Sequence, residues 1–82
     1  MQEPVREGFD VFVREGGKAF GAVREVRRNE IVIYVENAGD FVVPTSAITD
    51  VYSEKVVLNP ARLDAALQRA ITQAHLGEDP RI

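Results

Sequence analysis

Few of the 82 side chains are reactive. His75 is the only histidine and there is no cysteine. A protein metal site draws mainly on clustered His and Cys, and a Ser- or Cys-based nucleophile needs a neighbouring base, so neither device has its parts. His75 falls in what reads as the last turn of a helix, where a cation complements the helix dipole and the end carbonyls. The carboxylates Glu36 and Asp40 flank one turn and could approach each other as general acid/base pairs do, although Asp and Glu at turns are ordinarily solvated. Gly16-Gly17-Lys18 has the residue types of a phosphate loop but neither its spacing nor its helix start, and reads as a hairpin turn. The sequence therefore predicts no catalytic residue, no metal and no cofactor.

Two residue groups could bind. Arg24, Arg27 and Arg28 form the one local basic cluster, with Tyr34 close by on the following strand. Nucleic-acid binding by a barrel face uses such Arg and aromatic partners. Glu25 and Glu30 interleave with the arginines, so a solvated hairpin tip is the preferred reading. The formal charge of -3 also argues against a general polyanion binder. The second group is apolar: Phe12, Val32, Tyr34 and Val42 fall on the outward face of their strands, where aromatic and β-branched side chains are costly unless covered. Either the C-terminal helix of the same chain covers them, or they form a homodimer interface with the helix docked elsewhere or exchanged.

The elements that position these residues follow from periodicity. Residues 1–8 read as a loose lead-in anchored by Val5. Phe9, Val11 and Val13 alternate with Asp10, Phe12 and Arg14, the pattern of a half-buried strand, and Glu15-Gly16-Gly17-Lys18 supplies a tight turn. In the second strand, Lys18 to Arg27, Val23 and Val26 lie three apart, which predicts a bulge near Arg24-Glu25 that returns both to the core. Gly21 in that run predicts a close backbone approach. Arg27-Arg28-Asn29-Glu30 makes the next turn, with Asn29 suited to a left-handed conformation. Strands follow at Glu30 to Glu36 and Phe41 to Pro44, then a single helical turn or corner over Thr45-Ser46-Ala47-Ile48. Two short strands, Thr49 to Tyr52 and Lys55 to Leu58, end the β part.

Asn59 and Pro60 have N-cap and first-turn chemistry, which predicts a helix from Pro60 to about His75. Leu63, Ala66, Leu67, Ala70, Ile71 and Ala74 share its apolar stripe, and Gly77 is placed to stop it. The reading is one domain: lead-in 1–8, barrel 9–58, C-terminal helix 59–76 and tail 77–82. The lack of cysteine fits a reducing, cytoplasmic compartment. The N-terminus has no apolar signal region, and the longest apolar run, Ile31 to Val35, is far too short to span a membrane, so a soluble protein is expected.

The succession Gly17-Lys18-Ala19-Phe20-Gly21-Ala22-Val23, Val26, Ile31-Val32-Ile33, Val42-Val43-Pro44, Ile48, Val51 and Val56-Val57-Leu58 resembles the PRC-barrel domain, over about Phe9 to Leu58. The resemblance implies a small six-stranded antiparallel SH3-like barrel, here followed by one amphipathic helix. Such domains occur on the cytoplasmic side of the photosynthetic reaction-centre H subunit, in a ribosome-maturation factor and in many small bacterial proteins. Most bind macromolecules and do not catalyse, and the family has no catalytic set to carry over. The expected function is a non-catalytic interaction module that forms a homodimer and binds a protein partner through Phe12, Val32, Tyr34 and Val42. The alternative is an RNA- or ribosome-associated module using Arg24, Arg27 and Arg28.

Overall fold

The computed structural model describes residues 4–13 and 17–78, with side chains as far as Gln73. Its strands are β1 (Asp10–Phe12), β2 (Gly21–Val26), β3 (Glu30–Val35), β4 (Gly39–Pro44), β5 (Ile48–Tyr52) and β6 (Lys55–Leu58). They form one sheet in the order β4-β3-β2-β1-β6-β5, curled into a half-barrel. The expected wholly antiparallel sheet is corrected at one place, because β1 pairs with β6 in parallel. The reason is a count of reversals. Each of the connections β1 to β2, β2 to β3, β3 to β4 and β5 to β6 joins antiparallel neighbours and reverses the chain. The 3-10 turn Thr45–Ala47 joins the two sheet edges instead, and carries the chain from β4 into β5 without reversing it. Four reversals leave β6 running with β1.

The predicted bulge is present. Val23 pairs with Ile33 and Glu25 with Val32, so Arg24 is the extra residue of β2. The close approach at Gly21 is also present, since a Cβ there would overlap the Tyr34 carbonyl. The inward residues Val11, Phe20, Val23, Ile31, Ile33, Val35 and Val43 form one buried cluster, with Val5, Phe9, Val13 and Phe41 packed against it. Val26 departs from expectation. The bulge puts it in register with Ile31, but it lies at the end of β2 and remains 42% exposed. Asn29 does not adopt the left-handed conformation expected of it; Asn37, Ser53 and Glu54 do. Ser53 (φ 50°) and Glu54 (φ 64°) sit between the paired Tyr52 and Lys55, a two-residue turn with both central residues left-handed. The expected turn at Glu15-Gly16 and the tail beyond Glu78 lie outside the described residues, as does the His75 side chain.

The C-terminal helix begins later than the sequence suggests. Asn59 does act as a cap, accepting a 3.0 Å bond from the Ala61 N–H, but it caps a 3-10 turn over Pro60–Arg62. Leu63 is extended and buries its side chain in the core cluster. Asp64 then caps α1 (Ala65–Glu78), its Oδ1 accepting from the Leu67 N–H at 2.9 Å. Two caps five residues apart compete, and the break between them lets Leu63 turn inward. Gln68 joins the pieces, donating from Nε2 to the carbonyls of Pro60 and Leu63, each at 2.9 Å. Leu63, Leu67, Ala70 and Ile71 are buried as expected, whereas Ala66 is exposed, and Gly77 lies inside the helix instead of stopping it.

Two substitutions check this account. Gly21→Ala should destabilise the domain by about 2–4 kcal/mol in urea or thermal unfolding, because the added methyl meets backbone that cannot move aside. Replacing Ser53-Glu54 by Asn-Gly should stabilise it by about 1 kcal/mol, by relieving two non-glycine residues of a left-handed conformation.

Candidate interaction surface

Register fixes which side chains share the outer face. One row crosses the whole sheet: Asp40, Tyr34, Ala22, Asp10, Lys55 and Tyr52. A second, shorter row sets Val42 against Val32 and Val32 against Glu25. Arg24, next to inward Val23, lies on the outer face, where the bulge brings Glu25 beside it, and its guanidinium lies 5.6 Å from the centre of the Tyr34 ring. Arg24 Nε also meets Asp40 Oδ2 at 3.4 Å. An exposed cation over an aromatic face contributes about 0.5–1 kcal/mol, enough to bias the Tyr34 ring toward one position.

The four residues expected to form an apolar interface do not behave alike. Tyr34 is 41% and Val42 52% exposed, so both are available to a partner. Val32 shares their face but is only 7% exposed, which corrects its assignment as an outward contact. It is the short side chain of an inner strand, flanked in register by Val42 and Glu25 and followed on its own face by Tyr34. Phe12 is half-buried, with Lys55 Nζ 5.8 Å from its ring centre. It pairs with Val57 and lies across the Tyr34 row from Val42, so it belongs to a separate patch. The helix covers neither patch: its buried residues join the inner cluster with Val11, Ile31 and Ile33.

The basic cluster is largely neutralised. Arg27 donates from Nε to Glu25 Oε2 at 2.9 Å and from Nη1 to Glu30 Oε2 at 2.8 Å. These bonds raise the pKa of Arg27 and lower that of Glu25. With Arg24 on Asp40, two of the three arginines are already engaged by carboxylates, and only Arg28 has no ion pair among the described residues. A phosphate backbone would have to displace those partners. Of the two carboxylates that flank the β3–β4 turn, Asp40 meets Arg24.

The described surface includes two open depressions. One, of about 430 Å³, is lined by Val13, Thr49, Asp50, Val57, Leu58, Asn59 and Pro60. The other, of about 330 Å³, lies along the exposed side of α1. Among the described residues no group of three His, Asp or Glu is placed to hold a metal ion. No helix among them is long and apolar enough to cross a membrane.

The Arg27 pair predicts a pH dependence. Because Glu25 ionises more readily in the folded state, the pair favours folding above the ordinary Glu value of 4.5, and this contribution fades as pH falls through the lowered value. Carboxyl-carbon NMR titration should find Glu25 below 4.5, and Arg27→Gln should return it to that value.

No family model, curated protein or solved structure matches the chain.

Proposed function

We propose that the chain is a PRC-barrel-like, non-catalytic interaction module of the cytoplasm that self-associates and presents its outer face to a protein partner. The observation that carries this reading is the pair Tyr34 and Val42. Both are large, apolar and more than two-fifths exposed on adjacent strands, while the buried side chains described on α1 lie on the opposite, inner side of the sheet. Exposed aromatic and β-branched groups of this kind are stabilised by burial against another surface. Arg24 biases the Tyr34 ring toward one position, which reduces the ordering cost of docking on it. The charge pairing at the β2–β3 tip makes a protein partner a better fit than a nucleic acid.

Light scattering over a dilution series tests the self-association half. The mass should rise from that of the 9.1 kDa chain toward twice that value as concentration increases. A chain that remains strictly monomeric up to roughly millimolar concentration has no self-association to explain.

A further inference from the structure

Self-association, as proposed above, requires a defined meeting surface, and we propose that it is the free edge of β4, paired antiparallel with β4 of a second copy about a two-fold axis at Val42. This inference rests on the self-association reading and specifies its geometry.

The two edges of the sheet differ. β5 is blunted: its pairing with β6 shifts between Ile48 and Asp50, and the Val51 N–H is taken by Asp50 Oδ1 at 2.9 Å. β4 has neither feature. It pairs with β3 in unbroken register from Glu30 opposite Pro44 to Val35 opposite Gly39, and carries no Lys or Arg. Lysines, prolines and bulges are the usual means by which an edge is kept from pairing, and of these β4 has only Pro44, at its last position.

Which backbone groups face that edge follows from the ladder. The Thr45 N–H donates to the Asn29 carbonyl at 3.0 Å, which makes Asn29 and Thr45 a hydrogen-bonded pair. Antiparallel pairs alternate, so Ile31/Val43 and Ile33/Phe41 are also bonded, whereas Glu30/Pro44, Val32/Val42 and Tyr34/Asp40 are not. The N–H and C=O of Asp40 and Val42, and the C=O of Pro44, therefore point away from β3. No backbone group among the described residues takes them up. The missing N–H of Pro44 leaves no gap in the ladder with β3, and it gives the free edge no donor at that position, so an Asp40 carbonyl set opposite it stays with solvent.

This edge is complementary to itself. With Val42 opposite Val42 of the second copy, each Val42 N–H meets the other Val42 carbonyl, and each Asp40 N–H meets the other chain's Pro44 carbonyl. On the outer face the two exposed valines cover each other, and on the inner face Phe41 lies opposite Val43. Charge excludes one competing register. Asp40 is the only charged residue of β4, Arg24 already neutralises it, and it falls opposite Pro44 and away from its own copy. A shift of the pairing that set Asp40 opposite Asp40 would bring two carboxylates together. The edge dimer leaves Tyr34 and Arg24 on the outer face for a different partner.

Backbone amide exchange on the full chain at about 10 µM and about 1 mM tests the pairing, since protection follows the dimer fraction. The Asp40 and Val42 amides should exchange about tenfold more slowly, or slower still, at the higher concentration. Val42→Lys should give a folded monomer by circular dichroism and light scattering, and restore fast exchange at Asp40. Tyr34→Glu should leave both the dimer and the protection in place. Fast exchange at Asp40 and Val42 in a sample that scatters as a dimer overturns edge pairing while self-association stands. So does a dimer that survives Val42→Lys and dissociates on Tyr34→Glu. A wild-type chain that is monomeric at the higher concentration overturns both readings.

Discussion

One row of residues crosses all six strands and fixes the curvature of the sheet: Val51, Val56, Val11, Gly21, Val35 and Gly39, each in register with the next. Its four valines are almost fully buried. Its two glycines do different work. Gly21 has no side chain because the Tyr34 carbonyl occupies the space, so β2 and β3 approach more closely there than any other residue would permit. Gly39 supplies a φ of 95° at the start of β4, with open space around it. A flat sheet of the same strands would leave the valines half-wet. The curl allows Leu67, Ala70 and Ile71 to close the inner side from the helix, and it is this closure that leaves the outer face to other molecules.

Local features of the fold were legible in the sequence because they are set by chemistry within a few residues. The spacing of Val23 and Val26 required an extra residue, and Arg24 is that residue. Gly21 stood inside a strand where glycine has no local advantage, and a close backbone contact accounts for it. What could not be read depended on groups far apart in the chain. The direction of β6 against β1 turns on whether Thr45–Ala47 reverses the chain, and its residue types do not decide that. The helix start depended on a competition between two good caps, Asn59 and Asp64, settled by the burial of Leu63 in a core that the strands build.

The candidate surface was legible in kind and wrong in detail for the same reason. Alternation assigns a side chain to a face, and every face assignment of Phe12, Val32, Tyr34 and Val42 agrees with the register. Exposure is a further property, decided by the neighbours on that face. Val32 and Val42 are chemically identical and directly opposite, yet one is covered and the other is not, because β3 has neighbours on both sides and β4 on one. Val26 shows the converse: it faces inward but runs out of neighbours at the strand end.

The bulge at Arg24 links these features. An unbulged β2 would continue its alternation, and the residue after Val23 would have its place in the regular ladder instead of lying beside Glu25 as an extra residue. With the bulge, Glu25 lies on the outer face and Val26 faces inward, while Arg24 lies over the Tyr34 ring and meets Asp40, the one charged residue of β4. Edge strands are commonly protected by charge. On β4 that charge is ion-paired with Arg24, two strands away, while β5 has its register shift and its Asp50 cap. The two edges of the half-barrel therefore differ in kind: β5 combines a register shift with a capped N–H, and β4 combines an unbroken register with an ion-paired carboxylate.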